Sequence, residues 1–232
     1  MAARASLRLV DRTTREMPLS ELSSQLVLGA LPWRTVRSHR GQRHLPGWYW
    51  SSTTGGHVVY ESRLELARLL LADADPDVVG IAAQPFLVWD GNRRHVPDFL
   101  LARTDGSVLV VNVKPADRLE SPRVADALSW AGEVFVGRGW EHEVWSDADP
   151  TTLANVRFLA GYRRSALLSE ISTRVAASLA GAGQTIADAE AALRAGGVRE
   201  PRPVLLHLLW SGGLRADLTR PLTSETELEM SS

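Results

Sequence analysis

Glu65, Asp98, Asn112 and Lys114 are the residues of this chain whose types and spacing could do chemistry. Hydrolysis of a phosphodiester adds negative charge to an already anionic phosphorus centre and needs a nucleophile made from water, and a hard divalent cation helps with both. Such a cation, Mg2+ or Mn2+ in its place, takes oxygen ligands, commonly one or two carboxylates with water and substrate phosphate. Asp98 stands in Val96-Pro97-Asp98-Phe99-Leu100 and Asn112 in Asn112-Val113-Lys114-Pro115, with an Asp105-Gly106 turn between them. The turn makes the two runs antiparallel neighbours, so Asp98 and Asn112 are expected side by side. Lys114 lies two residues beyond Asn112 and shares its face. Its ammonium could orient a water or steady the pentavalent phosphorus.

Glu65 supplies a second carboxylate from a helix. Each residue also has an ordinary explanation: Ser62-x-x-Glu65 fits a capping box, Asp98 could end a strand, and Lys114 before Pro115 could be a solvated strand end. Their order, on the element types that such a site requires, makes Glu65, Asp98, Asn112 and Lys114 the expected catalytic set. The expected metal ligands are Glu65, Asp98, Asn112 and the Val113 carbonyl. Asn112 is neutral and cannot act as a base. Charge therefore rests on Glu65 and Asp98, and modest metal affinity is expected.

The elements that must position these residues follow from periodicity. Ser62 caps a helix running to about Ala72, with Leu64, Ala67, Leu70 and Leu71 on its apolar face. Runs 81–89, 96–103 and 108–113 read as strands, with turns at Gly91-Asn92 and Asp105-Gly106. A helix over 122–136 and a strand over 140–145 follow, which makes an α/β core. Earlier, 48–52 and 57–60 read as a hairpin around Thr53-Thr54-Gly55-Gly56. The pattern turns helical after Asp147-Ala148-Asp149-Pro150. Helices are predicted over 150–162, 166–179, 185–195 and 203–210, then short strands over 214–218 and 222–228 around Arg220-Pro221, a sequence of elements that suggests a small winged-helix domain. The expected domains are 1–150 and 151–232. The 203–210 helix is almost wholly apolar and offers no side chain suited to a base edge, so it is assigned to core packing or protein contact.

The 232 residues carry 44% hydrophobic content, a net charge of -1 and no cysteine. That is enough to bury a core, and it removes disulfides, thiolate metal sites and cysteine nucleophiles. Residues 1–14 lack the apolar run of a secretory signal, and no apolar run is long enough to span a bilayer. A soluble, cytoplasmic protein with no membrane partner is expected. Net charge argues nothing for nucleic acid, but its distribution does. Between Glu21 and Glu61 there is no acid, while Arg34, Arg37, Arg40, Arg43, His39 and His44 cluster near Trp33, Trp48, Tyr49 and Trp50. Arginine beside aromatic rings suits phosphate contact and base stacking, so Arg34, Arg37, Arg40 and Arg43 are the expected DNA-binding residues. A solvated loop with core tryptophans is the competing reading.

Other clusters are weaker. Asp73, Asp75 and Asp77 imitate a calcium loop, but Val78 and Gln84 occupy the positions that need glycine and glutamate. His142, between Glu141 and Glu143, reads as part of a surface charge row, and His57 and His95 as turn residues that could touch phosphate. No phosphate loop is present, which argues against ATP hydrolysis.

With these segments in place, the sequence resembles the TnsA-like endonuclease subunit of heteromeric transposases, a branch of the PD-(D/E)xK nucleases. The matching pieces are Leu31-Pro32-Trp33-Arg34-Thr35-Val36, Ser62-Arg63-Leu64-Glu65-Leu66, residues 79–85 with Gln84-Pro85, Pro97-Asp98-Phe99-Leu100 and Val113-Lys114-Pro115, in the family's order over about 32–145. The resemblance implies a restriction-endonuclease-like mixed sheet flanked by helices and a carboxy-terminal winged-helix domain. It implies catalytic places for Glu65, Asp98 and Lys114, with Glu61 a weaker substitute for Glu65, and Asn112 where the family has glutamine or an acid. It also implies DNA, a DDE-type transposase and an AAA+ regulator ATPase as partners. The expected function is cleavage of one strand at transposon ends. Alternatives are a weak or inactive nuclease-fold adaptor that binds DNA and recruits the transposase partners, and a stand-alone restriction- or repair-type nuclease.

Overall fold

A computed structural model describes residues 2–34, 46–164 and 183–230. Arg37, Arg40, Arg43 and the helix expected over 166–179 lie outside the described residues. The chain forms two compact units, one of Met1–Asp73 with Asp77–Asp147 and one of Ala74–Pro76 with Ala148–Ser232. Among the described residues no helix is long and apolar enough to cross a membrane.

The first unit is mixed α/β. It begins with a hairpin of β1 (Arg4–Arg8) and β2 (Thr14–Pro18), followed by the short helix α1 (Ser24–Leu28). A second hairpin, β3 (Gly47–Ser51) and β4 (Gly56–Tyr60), leads into α2 (Arg63–Ala74). Then come β5 (Val78–Ala83), β6 (Leu87–Trp89), β7 (Arg94–His95), β8 (Phe99–Arg103) and β9 (Val108–Val113). The helices α3 (Ala116–Leu119) and α4 (Pro122–Gly137) lead to β10 (Glu141–Trp145).

The main sheet has the order β10-β9-β8-β5. β5, β8 and β9 are antiparallel neighbours and β10 runs parallel to β9. A parallel neighbour cannot be reached by a tight turn, and α3 and α4 provide the crossover. All six residues of β9, Val-Leu-Val-Val-Asn-Val, are buried, as befits a central strand covered on both faces. One face packs with α4 and the N-terminal hairpin, through Leu100, Val108, Val110, Trp130, Phe135, Ala5 and Leu7. Arg138 ties these layers by donating to the carbonyls of Leu19 and Leu22 at 3.0 and 2.9 Å.

The single strand expected over 81–89 is two. Gln84 takes a left-handed φ of 45° and Pro85 has no N–H to offer a ladder, so the chain leaves the main sheet after β5. β6 then pairs with β1 in a separate sheet of order β2-β1-β6-β7. The strand expected from 96 begins only at Phe99. Arg4 and Arg8 begin and end strand β1, where Ala5 and Leu7 point into the core.

The second unit holds α5 (Pro150–Leu159), α6 (Ile186–Ala195), α7 (Pro201–Trp210) and the two-residue strands β11 (Leu214–Arg215) and β12 (Glu229–Met230). Asp149 caps α5 and Thr185 with Asp188 forms a capping box on α6. The strands expected over 214–218 and 222–228 are mostly absent, because β11 pairs with β12 and not with 222–228. Asn155 explains how the intervening loop holds its shape. Its amide donates to the carbonyls of Leu218 and Arg220 at 2.9 and 2.7 Å and accepts from the Leu222 N–H at 3.2 Å, satisfying backbone groups that a ladder would otherwise serve. Residues 204–210 of α7 are all buried, in keeping with core packing.

Asp73 is the polar anchor of the first unit. Its buried carboxylate accepts from Tyr49 Oη at 2.7 Å, Ser51 Oγ at 2.6 Å, Ser52 Oγ at 3.2 Å and the Ser52 and Thr53 N–H groups at 3.1 and 2.9 Å, locking α2 to the β3–β4 hairpin. Asp73→Ala would strand several buried donors and is expected to cost about 3 kcal/mol or more of stability. Asp73→Asn keeps an acceptor and should cost less. Denaturant midpoints for the two variants check the ranking.

Candidate active site

The site forms where β8 and β9 end. Phe99 pairs with Val111, yet the Asp98 N–H also donates to the Val111 carbonyl at 3.0 Å, so two residues share one partner as in a bulge. The Val113 N–H is taken by a side chain instead: it donates to Asp98 Oδ2 at 2.7 Å. Asp98 is 9% exposed. Lys114 Nζ lies 3.3 Å from the same oxygen and donates to the Val113 carbonyl at 2.9 Å. The Lys114 backbone is itself pinned, its N–H donating to the Trp145 carbonyl of β10 at 2.9 Å. Asp98 Oδ1 takes no hydrogen bond among the described residues.

Glu65 fulfils the capping geometry that Ser62-x-x-Glu65 suggests. Its carboxylate accepts from the Glu61 N–H at 2.7 Å and from Ser62 Oγ at 3.1 Å, while its own N–H donates to Ser62 Oγ at 3.1 Å. That role does not make the residue inert. Burial, opposed by the Glu61 N–H and reinforced by the negative charge of Asp98, pushes its carboxyl from 4.5 up to about 7. Three residues further along α2, Arg68 donates twice to Glu143 Oε2 at 3.0 and 2.7 Å, fixing this face of α2 to β10.

Asn112 is completely buried and occupied at both ends. Its Oδ1 lies 2.5 Å from His95 Nε2, and its Nδ2 lies 2.8 Å from His142 Nε2. Both imidazoles are held below their ordinary range, His95 chiefly by burial with Lys114 and Arg34 adding to it, His142 by burial and the neighbouring His95. Gln84 closes the near wall. Its N–H donates to the Asp98 carbonyl at 2.8 Å, its carbonyl accepts the Trp33 N–H at 2.8 Å and its Oε1 accepts the Arg34 N–H at 3.2 Å. The Arg34 guanidinium sits half-exposed, 3.4 Å from Glu61.

The structure thus joins Asp98, Lys114 and Val113 by direct contact, brings Glu65 within the electrostatic reach of Asp98, and turns the Asn112 amide toward two histidines. Among the described residues no three His, Asp or Glu side chains converge as a metal-holding group. His142, assigned from sequence to a surface charge row, instead turns inward against Asn112 and the Phe135 ring, 5.8 Å away. The alternation Glu141-His142-Glu143 carried that signal, since a half-buried strand turns alternate side chains inward. Gln84 had a sequence signal too, as a polar residue ending an apolar run before proline. No family model matches the chain, and none of the curated proteins matches it significantly.

Because the folded protein binds a proton at Glu65 more tightly than the unfolded chain, the Glu65 term favours the fold below about pH 4.5 and is lost as pH rises to about 7. In metal-free buffer Glu65→Gln should remove this dependence, gaining on the order of 1–3 kcal/mol relative to wild type between pH 5 and pH 8. Urea unfolding at the two pH values measures it.

Proposed function

We propose that the chain is a Mg2+-dependent DNA endonuclease subunit of a heteromeric transposase, cutting one strand at each transposon end. The observation that carries this reading is the contact of Lys114 Nζ with both Asp98 and the Val113 carbonyl, beside a Glu65 that feels the charge of Asp98. The element order is a further support. A helix carrying Glu65, three antiparallel strands with Asp98 just before one and Lys114 just after the next, a crossover helix and a parallel strand is the core arrangement expected of a restriction-endonuclease-like fold.

The donor set suits a hard cation: two carboxylates and a carbonyl, all oxygen, with Asp98 Oδ1 open. Glu65, Asp98 and the Val113 carbonyl would hold Mg2+, or Mn2+ in its place. Asn112 fits that set less well, because its oxygen already accepts from His95. A cation bound there supplies Lewis-acid stabilisation of the phosphate and a more acidic water. Lys114, fixed at both its backbone and its ammonium, orients the nucleophile against the phosphate. Arg34 binds the DNA backbone, and the arginine-rich run of the sequence that holds Arg37, Arg40 and Arg43 is assigned to the same ligand. The second unit acts as a winged-helix-like partner-binding domain, with a DDE-type transposase and an AAA+ ATPase as its partners. Its α7, buried over residues 204–210, is not offered to base edges.

A second reading, a nuclease-fold adaptor without catalysis, draws on the engaged Asn112 oxygen and the lack of a converging acid cluster among the described residues. One experiment separates the two. With the partner transposase and Mg2+, Asp98→Ala and Lys114→Ala should each lower strand cleavage by roughly a hundredfold or more. Undiminished cutting by either variant sinks the nuclease assignment. An inactive wild type that shows no Asp98-dependent uptake of Mg2+ by calorimetry in the presence of DNA favours the adaptor.

A further inference from the structure

The chain His95–Asn112–His142 has a use that the metal-site expectation for Asn112 does not supply. The two ends of a primary amide are unlike: Oδ1 can only accept and Nδ2 can only donate. With Oδ1 at 2.5 Å from His95 Nε2, that nitrogen must carry a hydrogen. With Nδ2 at 2.8 Å from His142 Nε2, that nitrogen must be bare, and a neutral His142 then bears its hydrogen on Nδ1. Asn112 has no exposed surface, so water cannot substitute for either imidazole at its ends. The fold also makes room for the outer ring. A Cβ on Gly132 of α4 would come within 2.6 Å of His142 Nδ1, so glycine is the residue that lets this ring lie under the helix.

His95 is the end of the chain that belongs to the site. Its ring feels the charges of Asp98, Lys114 and Arg34, and Nδ1 has no partner among the described residues. A neutral imidazole protonated on Nε2 offers Nδ1 as a lone-pair acceptor. The off-pattern asparagine now has a chemical reason. An aspartate at 112 would accept at both ends and would require His142 to present Nε2–H, reversing the outer tautomer, whereas the amide satisfies one donor and one acceptor at once.

We propose that Asn112 and His142 are positioning residues that keep the His95 hydrogen on Nε2, so that the neutral ring turns its Nδ1 lone pair to the site as a hydrogen-bond acceptor toward water. The tautomer assignment stands on geometry alone, and the role toward water rests on the hydrolytic reading above. Proton–nitrogen correlation spectra of the full-length, 15N-labelled protein, recorded metal-free with both rings neutral, test the first part. Wild type should show His95 protonated on Nε2 and His142 on Nδ1. Asn112→Asp should move His142 to the Nε2–H form and leave His95 unchanged. His142→Leu removes the acceptor for Nδ2 and should leave His95 in a mixture of tautomers, while His142→Gln, whose amide oxygen can accept, should restore the single form. A His95 protonated on Nδ1 in wild type, or a His95 signal that ignores His142→Leu in a variant shown by melting to be folded, overturns the assignment.

Strand cleavage with the partner transposase and Mg2+ tests the second part. His142→Leu should lose roughly tenfold in rate at unchanged DNA affinity, as is usual when a partner behind a site residue is removed, and His142→Gln should recover most of it. Full activity in His142→Leu overturns the role toward water. If wild type does not cut at all, the nuclease reading and the role toward water fall together, while the spectra still decide the tautomer assignment.

Discussion

The end of a buried β-ladder is the constraint on which the rest of this structure depends. Where strands stop inside a protein, their last N–H and C=O groups must find partners or cost the fold several kcal/mol each, roughly 1–3 by mutational measures. Here Asp98 answers that demand by placing a carboxylate oxygen 2.7 Å from the Val113 N–H, just beyond the last regular pair of the two strands. The same placement leaves one carboxylate oxygen open beside an ammonium and a carbonyl. Satisfying the backbone and assembling a charged pocket are one act of packing.

α2 brings the second carboxylate to that pocket because it is fixed near both ends. Near its carboxy end Asp73 gathers five donors from the β3–β4 hairpin, and at its amino end Ser62 and Glu65 cap the first turn. Arg68, bound to Glu143 on β10, sets the rotation of the helix between those points. A rigid helix so held keeps Glu65 near Asp98 although the two carboxylates disfavour each other. Burial is the main reason that the Glu65 carboxyl holds its proton up to about 7, and the charge of Asp98 adds to it.

Local strain falls beside the same residues. Gln84 holds a left-handed backbone without being glycine, at a cost on the order of 1–3 kcal/mol, and three hydrogen bonds to Asp98, Trp33 and Arg34 over-determine it. The strain ends β5, sends the chain into a different sheet and ties the Trp33-Arg34 segment to the strand that carries Asp98. In the second unit Asn155 plays a comparable part by holding a loop through its backbone groups, so that a polar side chain replaces regular pairing there too.

Much of this was legible in the residues themselves. The β-branched run of β9, the glycine turns and the caps at Ser62 and Asp149 are local signals, and local signals survive without knowledge of the fold. The α2 face expected from Leu64, Ala67, Leu70 and Leu71 is only partly the buried one, which adds Leu69 and Ala72 in place of Leu64 and Leu71. Hairpin logic was enough to bring Asp98 to the strand end that precedes Lys114, whereas the Asn112 amide turns to two histidines. The break at Gln84, the N-terminal hairpin and the loop around Asn155 depend on which distant groups satisfy which backbone atoms, and no window of sequence contains both partners. His142 shows the limit most clearly. Its neighbours Glu141 and Glu143 make it look like part of a charged surface, and only the parallel pairing of β10 with β9, under a helix with glycine at 132, turns its ring onto Asn112. The types of chemical group at this site were thus set by sequence, while tertiary structure alone decided which lone pair and which proton each presents, because hydrogen-bond direction is a property of pairs and not of residues.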